Sequence, residues 1–401
     1  MSPQPTTPNL HLEQPAGRAG RADSPQRVPQ GGVGGAAGAH PLRVVFCPDS
    51  FKGTLDAASV AEAMRRGWVA ARPGDADTCE LVPMADGGEG TRRAFQHARP
   101  EATVVELAEL CGIERFSTLD PWGAGTRPLG ERLREELLRV AATTRDRDEH
   151  RGMRPVVYLG IGSSASTDCG AGMLQGLGVS ITDAAGAPIA PGLAGVATAR
   201  GVDFRSAADV LEALARVDLQ VITDVRAPLV GPQGAAQAFG PQKGLAAADM
   251  NAADEAVLRF ARLLQETAPV HAEVTAPGAG AAGGVGFACL SLGAELLPGA
   301  AHMATALCLA EKIRRADYVV TGEGAFDATS LQGKVPAAVL ELCTAAATPC
   351  ALVAGIIRED APTAAFAAAE SVSLRAGSAH AAQQDPARWV ADTTRALAGR
   401  L

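Results

Sequence analysis

Aromatic side chains are scarce in this sequence: Phe, Trp and Tyr make up 4% of its 401 residues. A basic surplus is missing too. The formal net charge is −8 and the pI is near 5.5, which argues against nucleic acid as the main partner, because such proteins carry a basic face. An anionic nucleotide is still compatible with an acidic chain that gathers Lys, backbone N–H groups and a cation locally. No cysteine pair has C-x-x-C spacing. The eight cysteines, at 47, 79, 111, 169, 289, 308, 343 and 350, are scattered and mostly sit in apolar runs. That spacing does not suit a clustered zinc site or the disulfide framework of a short secreted chain. Most of them are expected to be buried thiols in a reducing cytoplasm.

No apolar signal core is visible near the N-terminus, and Glu13 and Asp23 do not suit a transit peptide. Residues 274–294 carry no charge and have the length of a bilayer span. They also contain Pro277 and six Gly, so a Gly-rich loop entering a buried helix is expected, with no membrane partner. A Ser-His-Asp triad and an H-E-x-x-H motif are both missing. The His residues are dispersed, and His271 and His302 read as structural.

What the chain has in abundance is Gly and Ala, suited to tight turns and helices packed closely on sheets. Residues 1–41 are rich in Pro, Gly, Gln and Arg without apolar period, and are expected to form a disordered tail. From Arg43 the pattern changes. Short apolar runs at 43–47, 79–82, 104–107, 156–159, 219–222, 318–320 and 351–354 read as strands. Helical spacing at 56–71, 132–143, 249–266, 301–315, 336–347 and 386–399 separates many of them. Such alternation predicts an α/β fold with largely parallel sheets, and ligands then bind where loops leave the C-terminal strand ends. The charged segment 145–154 reads as a solvated loop, and no internal repeat is found.

Five loops that follow apolar runs combine Gly with carboxylates, hydroxyls or Lys. Asp49-Ser50-Phe51-Lys52-Gly53-Thr54 has the outline of a phosphate cradle without Walker spacing, or else is a helix cap beside a surface lysine. Asp86-Gly87-Gly88-Glu89-Gly90 offers close backbone approach and two carboxylates, or a polar turn. The run Gly162-Ser163-Ser164-Ala165-Ser166-Thr167-Asp168 suits an anion at a helix start, with Asp168 a base, a metal ligand or a cap. Thr223-Asp224-Val225 through Lys243-Gly244 carries more constrained residues than a simple reversal needs. In Thr321 to Lys334, Glu323 and Asp327 are candidate Mg²⁺ ligands and Lys334 a phosphate contact, or solvated surface residues.

Taken in order, PDSFKGTL (48–55), MADGGEGT (84–91), GIGSSASTDCGAGMLQGLG (160–178), GPQGAAQAFGPQKG (231–244), PGAGAAGGVGFA (277–288) and TGEGAFDATSLQGKVP (321–336) resemble the bacterial glycerate kinase family. The resemblance implies transfer of the ATP γ-phosphate to D-glycerate or a similar hydroxy acid with Mg²⁺, giving 2-phosphoglycerate. It implies a flavodoxin-like α/β domain from residues 42–91 and 275–401, with a smaller second α/β domain, 92–274, inserted between. In that reading Lys52, Lys243 and Lys334 neutralise phosphate, and Glu323 and Asp327 hold Mg²⁺. Asp168 is the expected base, with Asp49, Asp86 and Glu89 nearby. Ser50, Gly87, Gly88, Ser163, Ser164, Gly283 and Gly284 are expected to line the substrate and nucleotide sites.

Departures from the family pattern are also legible. Ser163, Thr167 and Cys169 stand where the family has Gly, Asn and Gly, and Ala227 where it has Asn. Ala325 and Thr329 replace Arg and Gln, and the segment after Thr91 is shortened. They keep open a second reading, a member that binds nucleotide or organic acid without turnover.

Overall fold

The computed structural model describes residues 40–74, 76–144 and 154–401. Nearly all of the expected N-terminal tail and of the charged segment 145–154 lies outside them. Two parallel sheets organise the described chain. The first has five strands, in chain order Arg43–Phe46, Thr78–Leu81, Tyr318–Thr321, Cys350–Ala354 and Ala368–Ser371. Numbered that way, their spatial order is 2-1-3-4-5, the flavodoxin-like, doubly wound order. Its direction of winding reverses between the first and third strands, which pair Val44 with Tyr318 and Phe46 with Val320.

Both faces of this sheet are covered, which is why its central strands read as continuous apolar runs rather than alternating ones. Val44 and Phe46 pack with Trp68, Val320 and Val390 on one side. Val45 and Cys47 face Met84, Val319, Val339 and Leu352 on the other. That second core also takes in Tyr158 and Ile222, which belong to strands Val156–Gly160 and Asp218–Ile222 of the other sheet. The other sheet is completed by Thr103–Glu106 at one edge and Glu295–Leu297 at the opposite edge. It therefore draws on residues beyond 275.

Helices Ala57–Ala71 and Pro386–Ala398 lie together on the first sheet. Asp56 starts the former by accepting a hydrogen bond from Ser59 N at 2.7 Å, satisfying one orphan donor of the first turn. Their contact depends on Gly67, because a Cβ there would collide with the Ala391 carbonyl. Gly67→Ala is therefore expected to destabilise the chain by about 1–3 kcal/mol, the usual overpacking cost. Urea unfolding checks this through a lowered midpoint at unchanged slope.

Differences from the expected elements are local. The helix expected at 301–315 is two helices, Gly299–Ala306 and Leu309–Arg314, interrupted at Cys308 with φ 53°. The stretch after Val274 is a loop and short turn leading into the helix Val285–Ser291, and no described helix is long and apolar enough to cross a membrane. Strands Glu295–Leu297 and Ala368–Ser371 carry no strong apolar run. Both lie at sheet edges, where one flank needs no pairing and the side chains are only partly covered.

Candidate active site

The loops that carry chemistry leave the first sheet beside its reversal point. After Phe46 the backbone stays paired: Cys47 N donates to Val320 O at 2.9 Å and Asp49 N to Gly322 O at 2.8 Å. This holds Asp49 against Glu323. A tight turn, with Phe51 bridging Leu55, then lifts exposed Lys52 over the opening. The loops after the third and fourth strands are tied likewise, by Gly355 N to Glu323 O and Ile356 N to Gly324 O, each at 3.0 Å. Asp49, Ser50, Lys52, Asp86, Glu323, Asp327 and Lys334 surround one cavity of about 400 Å³.

Charge is concentrated there. Asp49 is 8% exposed and Glu323 7%. Burial pushes the Asp49 carboxyl well up, and the neighbouring Asp86 adds to it, while Lys52 opposes. Burial likewise raises Glu323, against the effects of Ser330 and Lys334. One of its oxygens, Oε1, is buried with no hydrogen-bond partner among the described residues. Asp327 is held differently: its Oδ1 accepts from Thr329 N at 2.8 Å and Thr329 Oγ1 at 2.7 Å, which lowers its pKa.

The loop from Asp86 to Gly90 joins the two sheets. Gly87 O accepts from Gly162 N at 2.8 Å, and Glu106 accepts from Gly90 N and Arg92 N, both at 2.8 Å. Beyond this seam lies a second cavity of about 280 Å³, with Lys52 on its wall as well. Ser163, Ser164, Gln242 and Lys243 line it. Lys243 is 3% exposed. Its Nζ donates to Ser164 Oγ at 2.9 Å and to Ser166 O at 2.5 Å, and burial pushes its pKa down to about 8.

Several expected site residues lie elsewhere. Asp168 lines neither cavity. It is fully buried, and its carboxylate accepts from Thr126 N, Thr126 Oγ1, Gly170 N and Gly172 N at 2.7–3.1 Å. Burial raises its pKa against the pull of those donors. With its oxygens occupied, it braces the loop instead of facing a reacting hydroxyl. Gly283 and Gly284 also line neither cavity: they pack on the 166–169 backbone, and a Cβ on Gly284 would lie 2.7 Å from Cys169 Cα. Gly87, Gly88 and exposed Glu89 belong to the seam and its rim, outside both cavities.

Other contributors went unread in the sequence. Asp224, in a loop singled out for its constrained residues, caps the helix Gly299–Ala306 by accepting from Gly299 N at 2.6 Å. Burial, then Asp86, pushes its pKa up to about 7. A strand end followed by Thr-Asp was the available signal. The apolar wall of the larger cavity, including Ile356, Val372, Ala382 and Val390, has no such signature.

The arrangement is that of a group-transfer site: cationic side chains and buried carboxylates on loops at the C-terminal ends of parallel strands. The sequence profile of the glycerate kinase family matches residues 44–103 and 96–401. This chain belongs to the glycerate kinase family. It is 34% identical over 349 residues to the glycerate 2-kinase of Escherichia coli K12, covering 80% of this chain and 86% of that one. It is 33% identical over 342 residues to the glycerate kinase of Halalkalibacterium halodurans, covering 78% and 85%. A Salmonella typhimurium LT2 crystal structure described as glycerate kinase 2 superposes with TM-score 0.69 and 30% identity, over 90% of this chain and 98% of that one.

Two residues of the 160–178 loop have an unusual backbone: Ser163 and Cys169 adopt φ 60° and 51°. That region penalises any side chain by about 1–2 kcal/mol, so Gly is the unstrained residue at both positions. Ser163 nevertheless lines the smaller cavity.

Proposed function

We propose that this protein phosphorylates D-glycerate, moving the γ-phosphate of ATP to its 2-hydroxyl with Mg²⁺ and yielding 2-phosphoglycerate. The observation that carries the reading is the convergence of Asp49, Lys52, Glu323 and Lys334 on one cavity, in a chain of this family. The eight free cysteines, most of them buried, suit a reaction carried out in a reducing cytoplasm.

Among the described residues no group of three or more His, Cys, Asp or Glu forms a metal-ligand cluster. Mg²⁺ takes hard oxygen ligands, often one or two carboxylates with the rest from phosphate and water. The unpartnered Oε1 of Glu323 fits that demand, with Asp327 beside it on the same wall. The ion's contribution, when bound, is to neutralise charge on the phosphate oxygens.

The chain's own residues do the remaining work. Lys52 and Lys334 bring positive charge to the transferring group, where preorganised charge lowers the barrier most. Asp49 replaces Asp168 as the group that takes the hydroxyl proton, because it faces the cavity. The wall of Ile356, Val372 and Val390 receives an apolar portion of the nucleotide. A coupled ADP-release assay with D-glycerate and Mg²⁺-ATP tests the reading. ADP formation that requires all three components is expected. Bound ATP without turnover would replace the kinase with a non-catalytic binding protein.

A further inference from the structure

The smaller cavity has properties that the larger one lacks. Besides Lys52, which it shares with the larger cavity, it has a buried lysine of its own, and its volume of about 280 Å³ lies at the small end of ligand pockets. An ammonium group has three donors. Ser164 Oγ and Ser166 O take two of those of Lys243. These acceptors fix the nitrogen in place and leave one N–H available in a residue that lines the cavity.

Among the described residues, none forms an ion pair with Lys243, whose bonds go to neutral oxygens. Asp168, on the adjoining loop, favours the charged lysine without bonding to it, its carboxylate being held by four other donors. Cys111, from the helix Leu107–Cys111, also faces it, and burial pushes that thiol up to about 12. Glu114 and Lys52 contribute to the cavity wall from the short turn Ile113–Arg115 and the first-strand loop. A buried ammonium held by neutral oxygens calls for an anion. One such ammonium matches a single carboxylate better than a polyphosphate, which needs several cations.

We propose that the cavity around Lys243 is the receptor for the carboxylate of the acceptor acid, and that binding this acid draws a proton onto the protein at alkaline pH. The proposal rests on the reading of the chain as a hydroxy-acid kinase. Lys243 then binds substrate and leaves the phosphates to Lys52 and Lys334. Ser163 and Ser164 lie on the same wall, where their hydroxyls suit a small polar acid. The anion holds the lysine charged, so affinity must fall as the free protein loses that proton. With a free-state pKa of about 8, the charged fraction drops about tenfold between pH 7 and pH 9.

The test is calorimetric titration of D-glycerate into the full chain with Mg²⁺ and a non-hydrolysable ATP analogue present. Three results are expected: about tenfold weaker binding at pH 9 than at pH 7, heat that depends on buffer ionisation near pH 8, and a loss of about tenfold to hundredfold in Lys243→Met. Nucleotide affinity should stay within twofold in that variant. Glycerate affinity within twofold of the native value in folded Lys243→Met would overturn the proposal. Should that variant not fold, glyceramide, the uncharged amide, decides on the native protein: binding as tight as glycerate contradicts a carboxylate receptor, and binding at least tenfold weaker supports it. The two readings fail separately. Another small 2-hydroxy acid held through Lys243, with glycerate ignored, upholds the receptor and ends the glycerate assignment. Glycerate turnover with a KM unmoved by Lys243→Met does the reverse.

Discussion

Replacing Asp49 by Asn is expected to lower kcat by about 10²–10⁴-fold, the range for losing a general base, without loss of the fold. Asn is nearly isosteric and keeps an oxygen for Ser50 N, which donates to Asp49 Oδ1 at 2.7 Å. Stability should not suffer either. The folded-state pKa of Asp49 is raised, by burial first and Asp86 second. An acid shifted in that direction weakens the fold as pH rises from its unfolded value through its folded one, because the native state resists losing the proton. Removing the ionisable group thus leaves the melting temperature at pH 7 unchanged or higher. Steady-state kinetics beside thermal melts separate the two roles. Loss of kcat with a preserved melt is the catalytic outcome, and full activity would remove Asp49 from the chemistry.

Asp168→Ala should behave in the opposite way. Its carboxylate accepts hydrogen bonds from three backbone N–H groups and one hydroxyl in a site with no solvent exposure. Each buried donor left unpaired costs about 1–3 kcal/mol. Even with partial relaxation the sum is about 3–6 kcal/mol, a large part of the 5–15 kcal/mol that holds an ordinary domain. The variant is expected to melt far below the native chain or to fail to accumulate. Asp168→Asn, which keeps acceptor oxygen but offers an unwanted N–H₂, should fall between them. A native-like melt together with a thousandfold loss of kcat would return Asp168 to the role of base.

The contrast between these two aspartates shows what the sequence makes legible. Residue type, spacing and position after an apolar run identified both as site candidates. How many donors already surround a carboxylate depends in part on Thr126, which approaches Asp168 from a separate segment 42 residues away. Nothing in the local motif distinguishes a carboxylate saturated in this way from one facing a cavity. The same holds for Gly283 and Gly284, where a Gly-rich run serves a backbone-to-backbone approach and looks identical to a ligand cradle on paper.

The sheets were easier to read at their centres than at their edges. Strands such as Tyr318–Thr321 are buried on both faces and flanked by partners on both sides, so packing selects an unbroken apolar run. Ala368–Ser371 is paired on one side only and needs no such run. Its backbone partners at 351–354 dictate the strand instead. The cavity wall of Val372, Ala382 and Val390 was unreadable for a related reason. Small apolar residues on helices serve any core, and only the loop residues Glu323 to Asp327 on the same cavity make that surface a candidate ligand site.

The proposed reaction moves phosphate from ATP to the 2-hydroxyl of D-glycerate in this cleft. Phosphorus NMR of the protein with Mg²⁺-ATP and D-glycerate tests it most directly, because the product's phosphorus couples to the hydrogens on the esterified carbon. A new phosphomonoester resonance split into a doublet by one hydrogen, growing as ADP appears, is the predicted result. A triplet would place the phosphate on the 3-hydroxyl, and unchanged ATP or inorganic phosphate alone would contradict transfer to glycerate.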